Sequence, residues 1–325
     1  MNKIGLCLII FNEEKVLQRC LNSLFPIIDH YVVVDTGSTD NSKAVIKQFF
    51  EEKNIQGEIH DDPDFNMSKN LNFVFDRLKG KTDFSFYIDA DNILSIPKNL
   101  NIDKFKEELS MHGSGMITVQ NEGNKYGKRL FYNLKNNWIW KGVIHEACTC
   151  EEATKTYNTP FSLIIHNDGN SWTSQTVKEK YLRHAKIILK DIEDNGLTSR
   201  NVFYLAQSYR DAGEKEKAIE WYTNRLGMTG FYEELYMSQF NIATLKWELN
   251  YPVSEVADEF MKCGELDELR AEHLLSLKQM YERNRRPASA RKIGKLLSEY
   301  HDKNPYPARV LFLNPDAYQS SIVDN

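Results

Sequence analysis

Apolar, β-branched runs alternate with stretches of helical periodicity in the first part of the chain, and this alternation predicts its elements. The runs predict four strands, at 4–10, 31–34, 55–60 and 84–88. After the first run, Leu17, Leu21 and Leu24 recur at helical spacing, and Pro26 ends that helix. Strands that alternate with helices form parallel sheets with helices packed on their faces. We therefore predict a doubly wound, Rossmann-like α/β domain.

Beyond Pro97 the pattern changes to shorter strands that are separated by glycine and asparagine turns. These strands are predicted at 115–120, 129–132, 139–140, from 143 onward and at 161–165. His145 and Glu146 are adjacent within the segment that starts at 143. Because neighbouring side chains of a strand point to opposite faces, we expect these two residues to have different roles.

From Thr173 onward the pattern is almost wholly helical. One set of positions matches a tetratricopeptide repeat (TPR), with Gly213 at the turn between its helices. The matching residues are Leu205, Ala206, Tyr209, Ala218 and Tyr222. A poorer match follows at Leu274, Leu277, Tyr281 and Ala290. We predict an α/β domain at 1–170 and an all-α, TPR-like domain at 171–325, with an irregular tail from Pro305.

Composition and charge limit the classes of partner. The length of 325 residues is consistent with two domains. The net charge of −5 and the isoelectric point near 6.0 argue against a nucleic acid or an anionic membrane surface as the main partner. No apolar run approaches the roughly 20 residues of a membrane span, and the first residues have a strand pattern rather than that of a signal peptide. With five unevenly spaced cysteines, we expect buried thiols, a reducing compartment and a cytoplasmic location.

Carboxylates follow two of the predicted strands. The strand at 84–88 ends at Asp89 and Asp91, and the strand at 31–34 ends at Asp35. Open α/β sheets bind ligands at this end of their strands, where Asp35 could accept hydrogen bonds from a base or a ribose. No Gly-x-Gly-x-x-Gly precedes Asp35, which argues against a dinucleotide-dependent dehydrogenase. Asp89 and Asp91 offer hard oxygen ligands for Mg²⁺ or Mn²⁺. The alternative is that Asp89 caps a turn and Asp91 is solvated.

Two further residues lie at the starts of predicted helices. Asn12 follows the first strand and is a good N-cap, a role that is sufficient by itself. Such a strand-to-helix junction is also where a nucleotide can meet free backbone amides. Lys69 could meet a phosphate or a base, or it could be an ordinary exposed lysine.

Four segments resemble, in order and spacing, the family 2 glycosyltransferases of GT-A fold. They are 12–14, 32–41, 65–70 and 88–91, and the resemblance covers roughly residues 3–170. It implies that Asp35 and the loop 11–13 hold the nucleotide of a nucleotide sugar, that Asp89 contacts the ribose or the metal, and that Asp91 binds the metal bridging the diphosphate. The donor-binding residues it implies are Phe11, Asn12, Glu13, Asp35, Gly37, Lys69, Asp89, Ala90 and Asp91.

The chain departs from the family pattern at two of these places. Many relatives have Arg where this chain has Lys69, and they often have Glu where it has Asn92. Lys does not replace the bidentate guanidinium of Arg, so the donor contacts at Lys69 differ from those of such relatives.

The resemblance also covers the acceptor side of the site. In the family a Trp-x-Gly-x-x-His-Glu segment closes that side, and Trp140, His145 and Glu146 match it. This implies that Glu146 is the general base for the acceptor, with His145 orienting it or lining the site. A His-x-Gly segment of relatives completes the metal shell. Here that makes His166 the third metal ligand, although Asp168 adds a residue before Gly169. Trp172 would stack on a sugar or cover the domain joint.

Together these features predict a metal-dependent, inverting glycosyltransferase. The expected donor is a nucleotide diphosphate hexose, with UDP favoured by the family, and the expected cofactor is Mn²⁺ or Mg²⁺. The acceptor would be a glycan, a lipid-linked saccharide or a protein. The helical half would bind the acceptor, form a homodimer or support the site, and the sequence leaves these roles open. The alternatives are an inactive scaffold with a TPR-like binding module, and a nucleotidyltransferase, for which the first loop lacks the usual glycine-rich basic motif.

Overall fold

The structure is a computed structural model that describes residues 2–63, 66–121, 124–152, 155–169, 176–303 and 315–318. The chain divides into two compact units, Met1–Thr176 and Val177–Asn325. The domain bounds predicted from the sequence place the division at residue 170. Phe65, Trp172 and all of the predicted tail except 315–318 lie outside the described residues.

The first unit is built on a mixed β-sheet. Its strands are β1 (Ile4–Ile10), β2 (His30–Asp35), β3 (Gly57–Asp61), β4 (Phe84–Tyr87), β5 (Ile93–Ser95), β6 (Ser114–Asn121), β7 (Asn124–Asn133), β8 (Ile139–Lys141), β9 (Ala147–Thr149) and β10 (Thr156–Ile164). Eight of them form one sheet in the order β3-β2-β1-β4-β7-β6-β10-β5, and β8 and β9 form a separate hairpin. Strands β1 to β4 pair in parallel, whereas β7 is antiparallel to β4 and β6. The predicted GT-A type of α/β fold is confirmed.

Helices connect the parallel strands. They are α1 (Glu14–Leu24), α2 (Ser42–Glu52) and α3 (Met67–Leu78), and a further helix, α4 (Ile102–Ser110), follows β5. The sequence pattern beyond Pro97 predicted only strands, so α4 is a difference. The side chain of Asn101 accepts a hydrogen bond from the amide of Lys104 and caps α4. Phe105 and Leu109 then bury one face of this short helix.

The core explains why the carboxyl ends of the strands align. β1 is almost wholly apolar, and Leu6 and Leu8 are fully buried in it, as expected for a strand covered on both faces. Leu17 and Leu21 of α1 are fully buried in the same core. The register that results places Ile10 of β1 beside Asp35 of β2. The polar residues that follow each of these strands therefore lie together at the carboxyl-end edge of the sheet.

The second unit is helical in the part that is described, as the sequence predicts. Its helices are α5 (Val177–Asn195), α6 (Ser199–Asp211), α7 (Lys215–Leu226), α8 (Tyr232–Glu248), α9 (Val253–Leu266), α10 (Glu272–Arg283) and α11 (Pro287–Lys303). Each packs against the next along the chain. Gly213, between α6 and α7, has a φ of 79°, a conformation that favours glycine. None of the helices in the described ranges is long and apolar enough to cross a membrane.

A polar cluster is buried inside the helical unit. His273 of α10 is buried, and its Nδ1 lies 3.2 Å from the hydroxyl of Tyr236 on α8. The neighbouring Glu272 forms a buried ion pair with Arg270 at 2.8 Å. Burial lowers the pKa of His273 to about 4, the charge of Glu272 acting in the opposite direction. The imidazole is therefore neutral in the folded unit at neutral pH.

The stability of the helical unit is expected to fall in mild acid because of His273. In the unfolded chain its pKa returns to about 6.5, so the unfolded state binds a proton first as the pH decreases. The free energy of unfolding is unaffected by this group well above pH 6.5, and it falls by about 3 kcal/mol as the pH decreases to 4. Urea unfolding of wild type and His273→Asn between pH 7 and pH 4 measures this. The free energy of unfolding should decrease less with falling pH in the variant than in wild type. Equal decreases would contradict the role given to His273.

Candidate active site

Asp35 lies at the end of β2 with one of its carboxylate oxygens unpaired. The residue is fully buried. Its Oδ1 accepts hydrogen bonds from the amides of Gly37 and Ser38, at 2.9 and 2.6 Å. Its Oδ2 is buried and has no hydrogen-bond partner among the described residues. Since buried polar atoms are normally paired, this oxygen points to a ligand that donates a hydrogen bond.

The loop after β1 is tied to the loop after β2 by Asn12. Its side-chain Oδ1 accepts a 2.7 Å hydrogen bond from the backbone amide of Thr39, and its backbone amide donates to Ser38 Oγ at 2.8 Å. Asn12 has a φ of 55°, which an asparagine tolerates better than most residues. The alternative role of Asn12 as the N-cap of α1 is wrong, because Glu13 occupies the cap position and makes no side-chain capping bond. Phe11, held in this loop, is 40% exposed beside the end of β2.

Asp89, after β4, is surrounded by hydrogen-bond donors. The hydroxyl of Tyr87 donates to its Oδ1 at 2.6 Å, and Asn92 Nδ2 donates to its Oδ2 at 3.2 Å. The ammonium of Lys128, on β7, lies 3.7 Å from the same Oδ2. These contacts fix the orientation of the carboxylate. Lys128 was not among the residues predicted from the sequence, because the residue pattern of β7 does not show that this strand pairs with β4.

Asp91, like Asp89, is half-buried. Burial, followed by the charge of Asp89, raises its pKa to about 6, and a backbone hydrogen bond from Gly169 opposes this. A β-carbon placed on Gly169 would lie 3.0 Å from Asp91 Oδ2 and 3.0 Å from Glu13 Oε2. The two predicted donor residues Glu13 and Asp91 thus both border Gly169. Ala90, between the acids, is buried and small.

The predicted metal ligands are only partly brought together. Asp89 and Asp91 are close enough for their charges to interact, but the described residues contain no cluster of three His, Cys, Asp or Glu side chains that could hold a metal ion. His166 lies near Asp168, whose pKa it helps to lower after the larger effect of Arg19. The two carboxylates fit the oxygen preference of Mg²⁺ or Mn²⁺, ions that often take one or two protein carboxylates and complete their shell with phosphates and water.

The acceptor-side segment is a hairpin rather than a continuous strand. β8 ends at Lys141 and β9 begins at Ala147, so His145 and Glu146 lie in the loop between them. The strand predicted from 143 onward begins only at Ala147, so the prediction that His145 and Glu146 lie on it is wrong. Gly142 and His145 both have positive φ, at 92° and 53°, which is incompatible with strand geometry.

Helix α3 anchors this hairpin. Asn72 donates from Nδ2 to the carbonyl of Trp140 at 3.0 Å and accepts from the Trp140 amide at 2.8 Å. Ser68 Oγ donates to the carbonyl of Gly142. The indole of Trp140 is buried against the rings of Tyr87 and Tyr132. Trp140 thus supports the hairpin whose loop carries Glu146.

Glu146 is half-buried, and His145 is exposed. The charge of Glu146 contributes to raising the pKa of the buried Tyr87 hydroxyl, after burial and the charge of Asp89. Glu146 and Asp89 are therefore both close enough to Tyr87 for their charges to act on its hydroxyl. Lys69 of α3 is largely exposed, and its ammonium pairs at 3.0 Å with Asp62, which lies in the loop that follows β3.

Comparisons with known proteins find similarity to glycosyltransferases. The family model described as Glycosyl transferase family 2 matches residues 6–150. The SPbeta prophage-derived glycosyltransferase SunS of Bacillus subtilis (strain 168) is 22% identical over 223 residues, which cover 66% of this chain and 51% of SunS. Glycosyltransferase SunS of Bacillus phage SPbeta matches to the same extent. The chain thus spans about half the length of the curated relatives it matches.

Solved structures give weaker similarities. S. aureus TarS 1–349 in complex with UDP-GlcNAc is 12% identical, with 95% of each chain covered and a TM-score of 0.39. MamA is 14% identical over 40% of this chain and 73% of its own, with a TM-score of 0.32.

Proposed function

We propose, from the similarity of residues 6–150 to the Glycosyl transferase family 2 model, that the protein is a metal-dependent, inverting hexosyltransferase. Its donor would be a nucleotide diphosphate sugar, with a UDP-sugar favoured by the family resemblance. Its acceptor would be a glycan, a lipid-linked saccharide or a protein. The observation that carries the proposal is the buried, unpaired Oδ2 of Asp35 at the strand-end edge, beside the exposed ring of Phe11.

The nucleotide would bind at the ends of β1 and β2. Asp35 Oδ2 would accept a hydrogen bond from an N–H of the base or a hydroxyl of the ribose, a contact that relieves the cost of its burial. Phe11 offers an aromatic face to the base. Asn12 and Gly37 would hold the two loops in place, since Asn12 bridges them and the Gly37 amide orients the Asp35 carboxylate.

The diphosphate would lie toward Asp89 and Asp91. Burial and mutual repulsion raise the pKa of Asp91, so this part of the site favours a nearby cation over further negative charge. Asp91, with Asp89, would hold Mn²⁺ or Mg²⁺. When bound, such an ion offsets the negative charge of the departing diphosphate. Lys128 adds a positive charge beside Asp89.

Glu146 would act on the acceptor. Its carboxylate would take the proton of the acceptor hydroxyl while the oxygen bonds to the anomeric carbon, and the bond from that carbon to the diphosphate oxygen breaks. One in-line displacement inverts the anomeric centre. The hairpin anchored by Asn72 and Ser68 would hold this base, because loop residues need such support to keep a catalytic geometry.

Replacing Asp35 tests the donor site directly. Asp35→Asn, with its carbonyl retained toward Gly37 and Ser38, presents an amide donor where Oδ2 stood, so it should weaken UDP binding about 10- to 100-fold. Isothermal titration with UDP and Mn²⁺ measures the change. Asp61→Asn is the matched control, because Asp61 pairs with Asp35 in register but ends β3 and is exposed. Equal UDP affinity in wild type and Asp35→Asn would contradict the proposal.

A further inference from the structure

Arg19 joins three parts of the candidate site. This residue of α1 donates from Nη1 to Asp168 Oδ2 at 2.9 Å and from Nη2 to Asp168 Oδ1 at 2.7 Å. The same Nη2 donates to the backbone carbonyl of Asp91 at 2.9 Å. One guanidinium therefore links α1, the segment after β10 that contains Asp168, and the backbone of the acid that the proposed function assigns to the metal.

The link from Arg19 to Asp168 bears on Asp91 through the next residue, Gly169. Gly169 donates a backbone hydrogen bond to the carboxylate of Asp91. A side chain on Gly169 would meet Asp91 Oδ2 and Glu13 Oε2 at 3.0 Å, so the backbone approaches both carboxylates closely. A shift of a few tenths of an ångström in this segment would move the donor that orients Asp91.

The ion pair is poorly placed to serve global stability. The side chains of Arg19 and Asp168 are 34% and 48% exposed. Exposed ion pairs contribute about 0–1 kcal/mol to the free energy of unfolding. A bidentate carboxylate pair does, however, fix both distance and orientation, which the single ammonium of a lysine cannot do. The geometry is that of a positional clamp.

We propose that Arg19 and Asp168 are positioning residues for glycosyl transfer. By clamping the segment after β10, they hold the Gly169 amide against Asp91 and keep that carboxylate in the orientation that the diphosphate and its cation require. This inference rests on the proposed function. It also gives a role to Asp168, the residue that this chain adds between His166 and Gly169 relative to the His-x-Gly segment of the family.

The test compares Arg19→Lys, Asp168→Asn and the double variant. Two quantities are measured, the Kd for UDP with and without Mn²⁺, and the rate of UDP release from UDP-glucose, UDP-galactose or UDP-N-acetylglucosamine. Each single variant should lower kcat about tenfold and weaken the Mn²⁺-dependent part of UDP binding. UDP binding without Mn²⁺, which depends on Asp35, should stay within twofold of wild type. The double variant should be no worse than either single one, because both remove the same clamp.

Two controls separate positioning from a general loss of structure. Asp168→Glu retains the carboxylate and should recover part of kcat. Lys43→Gln breaks an ion pair of similar length with Asp61, at 2.8 Å, and should leave kcat unchanged. Wild-type kcat in Arg19→Lys and Asp168→Asn, or fully additive losses in the double variant, would overturn the positioning role alone. If wild type shows neither UDP release nor Asp35-dependent UDP binding, the proposed function fails and the positioning role fails with it.

Discussion

Glu146→Gln is expected to lower the rate of glycosyl transfer by about 10²- to 10⁴-fold, the usual contribution of a general base. Glutamine has nearly the same size as glutamate and can keep its hydrogen bonds as an acceptor, but it cannot take a proton. The hairpin backbone should be unaffected, because Asn72 and Ser68 hold it through main-chain atoms. The loss should therefore appear in kcat.

The matched measurement is donor binding. Glu146 lies on the side of Tyr87 and Asp89, whereas the base of the nucleotide would contact Asp35. We expect the Kd for UDP with Mn²⁺ to stay within twofold of wild type, with UDP release and acceptor glycosylation both suppressed. Glu152→Gln is a suitable control, since Glu152 pairs with Asn136 beyond the β8–β9 hairpin. Retained turnover in Glu146→Gln would show that another group takes the proton.

Asp91→Asn is expected to lower turnover strongly while the protein remains folded. The amide keeps an oxygen that can accept the Gly169 hydrogen bond, so the local backbone should be preserved. It removes the negative charge that would hold the metal, and with it the metal-dependent part of donor binding. A loss of about 10³-fold in kcat is expected for removal of a group that stabilises charge on the leaving diphosphate.

The same substitution should raise Tm in metal-free buffer at pH 7.5. Because the folded-state pKa of Asp91 is raised to about 6, its charged form is disfavoured by the fold, and its ionisation destabilises the metal-free protein above that pH. The neutral amide removes this cost. Differential scanning calorimetry with EDTA measures it. A lower Tm for Asp91→Asn would mean that the carboxylate stabilises the fold, as a structural acid would.

Much of the sheet could be predicted because its signals are local. The apolar runs of β1, β2 and β4 and the helical spacing of α1 determine parallel strands, and parallel strands bring the residues after them to one edge. The placement of Asp35, Asp89 and Asp91 follows from this alone. The roles given to these residues remain predictions that the binding experiments test.

The remaining features depend on contacts between distant residues. Asparagine is a common residue at helix N-caps, yet the side chain of Asn12 accepts hydrogen bonds from the backbone amides of Thr39 and Asp40 in another loop. The strand predicted from residue 143 begins only at Ala147, because the apolar pattern does not show the positive φ angles of Gly142 and His145.

The Arg19–Asp168 clamp joins positions 149 residues apart and leaves no periodic signal. Lys128 beside Asp89 is likewise visible only once β7 pairs with β4.

The most direct test of the central claim is a thermal-shift titration of wild type and Asp91→Asn with UDP-sugars, each with and without Mn²⁺. A ligand that binds only the folded state raises Tm by mass action. The account predicts that at least one UDP-sugar raises the Tm of wild type further when Mn²⁺ is present, and that this additional shift is lost in Asp91→Asn. No shift of well-folded wild type with any of the UDP-sugars, with or without Mn²⁺, would contradict the claim and favour an inactive scaffold.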